Sequence, residues 1–142
     1  MINSVICDML NIEYPVFQGG MAHIADARLA AAVSEGGGLG IISAMSRDAE
    51  YLRKQIKDAK ELTDKPFGVN VMLMSPYANE VSDVIVEEHV PVVTTGAGNP
   101  LVFMKKWIAA GVKVIPVVAS VALAQMVAKR GAAAVIAEGG ES

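Results

Sequence analysis

The sequence contains little cysteine, and cysteine content indicates whether a protein suits an oxidising or a reducing cellular compartment. Its 142 residues include one cysteine, Cys7. A single cysteine cannot form a disulfide within the chain, and a lone cysteine is most often a small buried apolar residue. The cysteine content therefore favours a reducing compartment, and we expect a cytoplasmic protein.

The sequence also lacks the marks of a protein that binds nucleic acid or a membrane. Its net charge is −3 and no basic stripe is present, so we expect no nucleic-acid partner. The longest uncharged run, His89–Met104, contains two prolines and falls short of the ~20 apolar residues that a spanning helix needs. The N-terminus has no basic region and carries Asp8, which argues against a signal peptide. We predict no membrane association.

Several common catalytic sets are missing as well. No lysine follows a predicted strand, and His23 and His89 lie away from any candidate serine nucleophile. The acidic residues, histidines and cysteine show no metal-ligand spacing, so we predict no metal site. Neither a dinucleotide-binding glycine motif nor a Walker A loop follows the first strand. The glycines of GGGLG, at 36–40, precede a strand, and we interpret them as a helix end and a turn.

Apolar and helical segments alternate along the whole chain. Apolar residues make up 53% of the sequence, and most strand-like runs are continuously apolar, as in parallel strands covered on both faces. The predicted strands are Tyr14–Phe17, Leu39–Ser43, Phe67–Leu73, Val90–Thr94, Val112–Val118 and Ala133–Ala137. Five helices are predicted. The first two cover 26–35 and 46–62, the third begins at Ser75-Pro76, the fourth begins at Asn99-Pro100, and the fifth runs from Ser120 to Gly131.

This α/β pattern predicts a parallel sheet with right-handed crossovers, for which two architectures compete. A doubly wound open sheet is complete with six strands, whereas a (β/α)8 barrel needs eight strands and typically ~250 residues. Length alone favours the open sheet. Both architectures bind ligands at the carboxyl ends of the strands.

The predicted strand ends carry glycine, amide, hydroxyl and few charges. QGGMA follows the first strand at 18–22, Asn70 lies in the third, Thr94 and Thr95 end the fourth, and Glu138 follows the sixth. Paired glycines mark either a tight turn or a place where backbone closely approaches another group. These groups suit a flat ligand with polar edges and offer little acid–base chemistry. A cofactor that carries the chemistry would account for them.

Five motifs carry a family resemblance. They are QGGMA at 18–22, PFGVNVML at 66–73, TTGAGNP at 94–100, VIPVVASVALA at 114–124 and AVIAEG at 134–139. In this order and spacing they resemble the flavin-dependent enoyl-acyl-carrier-protein reductases and their relatives, the nitronate monooxygenases, formerly called 2-nitropropane dioxygenases. TTGAGNP and the AEG ending favour the reductase branch.

The resemblance implies an FMN-binding (β/α)8 barrel of the TIM type, which reverses the preference drawn from length. Residues 1–142 would be the N-terminal part of this single domain, with strands one to six, ending in the loop after strand six. The catalytic histidine of the family would fall just beyond Ser142. The loops that hold the FMN phosphate would follow strands seven and eight.

The resemblance also implies roles for residues within the chain. Flavin-ring contacts fall on Gly20, Met21, Ala22, Asn70 and Glu138, and Thr94 and Thr95 fall on the substrate side. Without the resemblance, Asn70 would be read as a buried structural amide. His23 departs from the family pattern. It is either a substitute acid or, as we favour, a polar residue satisfied at the entry to its helix.

The implied activity of the intact protein is the NAD(P)H-dependent reduction of a 2-enoyl-acyl-carrier-protein in fatty-acid synthesis, with FMN as cofactor and NADH or NADPH as reductant. A nitronate monooxygenase is the sister alternative. A non-catalytic alternative is an inactive fragment or a half-barrel that needs a second chain, because six strands leave sheet edges exposed. We expect residues 1–142 alone to be inactive. We expect either a homo-oligomer or association through the open barrel edges, with an acyl-carrier-protein-linked or other small molecule as substrate.

Overall fold

The computed structural model of the protein describes residues 4–140, in which helices and parallel strands alternate. The helices are α1 (Val5–Leu10), α2 (Ala27–Glu35), α3 (Ala49–Leu62), α4 (Ala78–Glu87), α5 (Leu101–Ala109) and α6 (Val121–Lys129). The strands are β1 (Gly40–Ser43), β2 (Phe67–Met72), β3 (Val92–Gly96), β4 (Lys113–Val118) and β5 (Ile136–Ala137).

The order of the strands distinguishes the two predicted architectures. All neighbouring strands pair in parallel, and their order in the sheet is β1-β2-β3-β4-β5, the order of the sequence. A doubly wound sheet reverses its strand order at a switch point, whereas a barrel adds each strand to the same edge. The sheet contains no such reversal, so the topology is that of a barrel wall, and the open sheet favoured by length is wrong.

The prediction of six strands needs correction, because the described residues form five. The predicted first strand, Tyr14–Phe17, makes only an isolated parallel bridge between Phe17 and Leu39. Pro15 has no N–H to donate, and the Tyr14 N–H donates to Gly37 O at 2.9 Å instead of extending the ladder. The segment still lies beside the β1 edge, where a first barrel strand would lie.

Three of the six described helices begin with a side-chain cap. Asp26 accepts a hydrogen bond from the Leu29 N–H at 2.9 Å, and Ser120 accepts one from Leu123 at 3.1 Å. Two predicted starts are too early. Ser46 has a left-handed backbone (φ 53°), so α3 begins after Asp48, and α4 begins at Ala78, two residues beyond Pro76.

One face of the sheet packs against α2 to α6 and forms what we call the outer core. Its strand residues include Ile42, Val69, Val93 and Val114, all fully buried. The helices contribute large apolar side chains to the same cluster: Leu52, Ile56, Val81, Val84, Ile85, Met104, Trp107 and Val127. This layer buries most of the large apolar side chains, and hydrophobic burial is the main stabilising term in folding.

Helix α2 packs unusually close to β1. A Cβ at Gly40 would lie 1.8 Å from the carbonyl oxygen of Ala30, so only glycine fits there. The Ser34 hydroxyl accepts a bond from the Gly40 N–H and donates to Pro66 O at 2.9 Å. These contacts fix α2 against the start of β1 and β2.

The other face of the sheet holds a smaller apolar group that we call the inner core. It comprises Cys7, Leu10, Ile12, Leu39, Ile41, Val92 and Ile115. Helix α1, which the sequence analysis did not predict, covers the amino-terminal half of this face with Cys7 and Leu10. The carboxyl-terminal half is left open. No helix within residues 4–140 is long and apolar enough to span a membrane.

Candidate functional site

The open half of the inner face contains a cavity of about 830 Å³. Its volume falls within the range of small-molecule and cofactor sites. The described lining residues are Ile6, Pro15, Phe17, Gln18, Gly19, Gly20, Ile41, Met45, Asn70, Met72, Thr94, Gly96, Ala97, Val117, Val135, Ile136 and Glu138. The cavity thus lies at the carboxyl ends of β1 to β5, where parallel barrels bind their ligands.

Strand alternation explains which side chains reach the cavity. In β2, Val69 and Val71 belong to the outer core, so Asn70 and Met72 face the opposite side. In β3, Val93 belongs to the outer core, so Thr94 and Gly96 face inward. The parallel register pairs Asn70 with Thr94 and Met72 with Gly96.

The two glycines of QGGMA differ in what surrounds them. A Cβ at Gly20 would lie 2.4 Å from the Cβ of Asn70 and 2.8 Å from its amide nitrogen, so a side chain there would collide. A Cβ at Gly19 would have only Met21 Cγ nearby, at 4.0 Å. Gly20 therefore permits a close approach between its loop and the Asn70 side chain.

Asn70 is held at one end of its amide. The Thr94 hydroxyl donates a hydrogen bond to Asn70 Oδ1 at 2.8 Å, and Thr94 itself is 2% exposed. No group of the described residues accepts a hydrogen bond from the Asn70 amide nitrogen. Because Asn70 lines the cavity, that nitrogen can donate to a ligand.

Gln18 takes the place of a strand residue at the edge of β1. Its side-chain Nε2 donates to Ile41 O at 3.0 Å, and its Oε1 accepts from the Ile41 N–H at 3.3 Å. Nε2 also donates to Gly19 O at 3.0 Å. One amide thus substitutes for the missing ladder of the first strand and holds the glycine loop at the cavity wall.

Glu138 is exposed and lies at the tip of β5, where its backbone N–H donates to Val118 O at 3.1 Å. It is the one ionisable side chain among the described lining residues. No lysine or arginine lines the cavity within residues 4–140, and no metal-binding group of three or more ligands occurs among them. The lining therefore suits an uncharged group better than a phosphate.

Three of the predicted site residues do not reach the cavity. Met21 and Ala22 follow the glycine loop but are not among its lining, and Met21 is 43% exposed. Thr95 is buried like its neighbour Thr94, but it has the parity of Val93 and faces the helices. The predicted set therefore divides: Gly20, Asn70, Thr94 and Glu138 come together around one cavity, and the others stand apart.

His23 lies outside the cavity lining, on an exposed loop with a left-handed backbone (φ 63°). Its Nδ1 accepts a hydrogen bond from Arg47 at 3.2 Å, and the Arg47 guanidinium also stacks on the Tyr51 ring at 4.7 Å. The structure thus gives this histidine a partner at the helix entry and no contact with the cavity. The catalytic histidine expected beyond Ser142 lies outside the described residues.

The lining also includes residues that the sequence analysis did not assign to the site. They are chiefly Gln18, Met45, Met72, Gly96, Ala97 and Val117. Strand parity could have found Met72 and Gly96, each two residues after a predicted site residue. Gln18 carried no such signal, since its role depends on a side-chain pairing across the sheet edge.

A planar group with hydrogen-bonding edges fits this lining. Glycine at 19 and 96 leaves room beside the backbone for close approach, and no heavy atom lies within 4 Å of the position that a Cβ of residue 96 would occupy. Apolar side chains cover the walls, and the Asn70 amide supplies a free donor. Pockets of this composition, apolar with a few placed polar groups, are typical of cofactor sites.

The topology and the position of the cavity define the class: a (β/α)8 barrel of the TIM type with a ligand site at its carboxyl-terminal face. Comparison with known proteins supports this class. The chain matches FabK from Thermotoga maritima with a TM-score of 0.98 and 52% identity, over 100% of this chain and 46% of that one. It matches a nitroalkane oxidase from Streptomyces ansochromogenes with a TM-score of 0.88 and 28% identity, over 98% and 49%.

The family is equally clear from sequence. The nitronate monooxygenase family model matches residues 3–84, more than half of the chain. A (3aS,4S,5R,7aS)-5-hydroxy-7a-methyl-1-oxo-octahydro-1H-indene-4-carboxyl-CoA dehydrogenase from Rhodococcus jostii is 36% identical over 99% of this chain. The chain belongs to the nitronate monooxygenase family, whose members compared here are oxidoreductases. It spans 40% of the length of that dehydrogenase.

Proposed function

We propose that the chain is the N-terminal part of a single FMN-binding barrel, whose intact protein reduces 2-enoyl-acyl-carrier-protein with NADH or NADPH. The likeness to FabK carries this proposal. FabK is an enoyl-acyl-carrier-protein reductase II, and it shares 52% identity over the whole chain, against 28% for the nitroalkane oxidase. The Rhodococcus dehydrogenase adds a second relative whose name includes an acyl thioester.

The cavity lining suits one part of FMN, the isoalloxazine ring, and this supports FMN as the cofactor. The isoalloxazine ring is planar and offers acceptors along one edge, and the Asn70 amide nitrogen is a free donor at the cavity. Gly19 leaves space for the ring to approach the backbone closely, and Gly20 leaves space for the Asn70 side chain. The described lining contains no lysine or arginine, which suits the ring better than the phosphate.

FMN, when bound, would supply the hydride-transfer chemistry that links a reduced nicotinamide to C3 of the enoyl thioester. The residues of this chain bind and orient. Asn70 would hold the polar edge of the ring, while Met45, Met72 and Val117 exclude water from the cavity walls. Thr94 would lie beside Asn70, toward the substrate side.

Completing the reduction requires a proton at C2 of the substrate. Glu138 is the one ionisable side chain in the described lining, and it is exposed at the strand tip. The family resemblance assigns this proton to the histidine expected beyond Ser142, and we keep that assignment in the proposal.

The nitronate monooxygenase reading remains a second candidate, because the matching family model bears that name. Anaerobic stopped-flow mixing of the intact protein with NADH or NADPH separates the two. A reductase loses its flavin absorbance near 450 nm on mixing and regains it when crotonyl-acyl-carrier-protein is added. Flavin that stays oxidised with both nucleotides, yet is reduced by an alkyl nitronate, would overturn the reductase assignment.

Association with other chains is a further part of the proposal. The β5 edge and the short Phe17 bridge leave backbone groups at both ends of the sheet without a neighbouring strand among the described residues. Such edges invite strand pairing, either with further strands of the same protein or with a second chain. Native mass spectrometry of residues 1–142 alone tests the second case, which predicts a dimer that is lost at low concentration.

A further inference from the structure

The amide of Asn70 has a fixed end and a free end. Its Oδ1 accepts the hydrogen bond from the Thr94 hydroxyl at 2.8 Å. Its nitrogen has no acceptor among the described residues and lies 2.8 Å from where a Cβ of residue 20 would be. The oxygen thus faces Thr94 on the neighbouring strand β3, and the nitrogen faces Gly20 in the glycine loop, which lines the cavity.

Thr94 accounts for this orientation. The residue is 2% exposed, and its hydroxyl has no other hydrogen-bond acceptor among the described residues. Reversing the amide would point an N–H₂ group at the hydroxyl and leave the buried Thr94 proton unpaired. Buried hydroxyls are normally paired, and leaving one unpaired costs the desolvation of that group. The threonine therefore favours one of the two amide orientations.

We infer that Thr94 is a positioning residue that orients the Asn70 amide so that its nitrogen donates into the cavity, and that Gly20 leaves the space this requires. The ligand must then present an acceptor atom at that point. This inference rests on the proposed function for the identity of that ligand, the isoalloxazine edge of FMN. A donor at that edge stabilises the electron-rich reduced ring more than the oxidised ring, and it thereby raises the flavin midpoint potential.

Four variants of the intact protein test the inference: Thr94→Val, Thr94→Ser, Asn70→Ala and the double variant Thr94→Val/Asn70→Ala. Thr95→Val is the matched control, because it makes the same change on the opposite face of the same strand. The readouts are the FMN dissociation constant, measured by fluorescence titration, and the flavin midpoint potential.

We expect Thr94→Val to raise the FMN dissociation constant roughly fivefold, as for the loss of one hydrogen bond, and to shift the midpoint potential to more negative values. Thr94→Ser keeps the hydroxyl and should restore both values. Adding Thr94→Val to Asn70→Ala should change neither, since Thr94 acts through the amide. Thr95→Val should match the wild type in both readouts.

Two results would overturn the role of Thr94. One is a Thr94→Val variant with unchanged potential and affinity when Asn70→Ala changes both. The other is a Thr94→Val penalty of the same size with and without Asn70, which would mean that the threonine acts independently of the amide.

The unfolding of the FMN-free proteins separates this inference from the proposed function. A Thr94–Asn70 hydrogen bond makes the two substitutions non-additive in the free energy of unfolding, whatever the ligand is. If the two substitutions are non-additive and the wild-type protein binds no FMN, the flavin assignment is refuted and the amide orientation is retained. Additive effects in the FMN-free proteins would refute the orientation itself.

Discussion

The two faces of the sheet come from the same strands but differ in what they contact. The outer face meets five helices in a dry apolar layer, and the inner face is apolar at one end and opens into a cavity at the other. Thr94 and Thr95 show the contrast in adjacent residues of equal burial, since one faces the cavity and the other faces the helices. Burial alone therefore does not distinguish a site residue from a packing residue, whereas strand parity does.

The largest expected effect is on the outer face, at the contact between α2 and β1. Gly40→Ala places a Cβ 1.8 Å from Ala30 O, which must displace the helix backbone. We expect a loss of about 3 kcal/mol in the free energy of unfolding, measured by urea denaturation. Gly96→Ala is the matched control on the inner face, where nothing lies within 4 Å, and should cost less than about 1 kcal/mol. Equal losses would contradict the close packing of α2.

A second test compares neighbouring isoleucines of β1. Ile42 is fully buried in the outer core, whereas Ile41 lies at the border between the inner core and the cavity. Ile42→Ala should cost about 3 kcal/mol, because it leaves a closed void. Ile41→Ala enlarges a cavity that is already open and should cost roughly 1 kcal/mol less. Thermal unfolding of both variants measures the difference, and a larger loss for Ile41→Ala would reverse our assignment of the two faces.

A third test moves from stability to binding. Asn70→Ala removes the free donor of the cavity, and we expect the FMN dissociation constant of the intact protein to rise about tenfold. The melting temperature of the FMN-free protein should fall by only a few degrees, because Asn70 is half-buried at the open end of the sheet. Fluorescence titration measures the first and calorimetry the second. Unchanged FMN affinity would remove Asn70 from the site.

The smallest expected effect concerns a buried hydroxyl in the outer layer. Ser82 Oγ is buried and has no hydrogen-bond partner within residues 4–140. The carbonyl oxygen of the same residue accepts a hydrogen bond from Trp107 Nε1 at 3.4 Å. Ser82→Ala removes the unpaired hydroxyl and should leave stability unchanged or raise it by up to about 1 kcal/mol. A loss above 1 kcal/mol on chemical denaturation would show that the hydroxyl has a partner.

Much of the fold was predictable because most elements carry a local signal. The apolar runs of β2 to β4 and the caps at Asp26 and Ser120 gave the alternation of strands and helices. Helix α1 escaped prediction because it has six residues and no side-chain cap, so its position depends on packing Cys7 and Leu10 against the sheet. The order of the strands depends on contacts between segments far apart in sequence. For this reason the length of the chain favoured the wrong architecture, an open sheet.

The candidate site was predictable in part. Gly20, Asn70 and Glu138 were expected from the family resemblance, and the structure gathers them at one cavity. The faces of Thr94 and Thr95 could not be assigned until the register of β3 was known, because a shift of one residue exchanges them. The role of Gln18 depends on the pairing of its side chain with Ile41 at the edge of β1, and a contact between segments this far apart in sequence has no local signal.

We propose that the inner face at the carboxyl ends of the strands binds a flavin, while the outer face supports the fold. Hydrogen–deuterium exchange of the intact protein, with and without FMN, tests it most directly. We expect FMN binding to slow amide exchange in 18–20, 70–72 and 94–97 and to leave amide exchange in α3 and α4 unchanged. Protection confined to the helices, or exchange in these three segments that FMN does not alter, would contradict it.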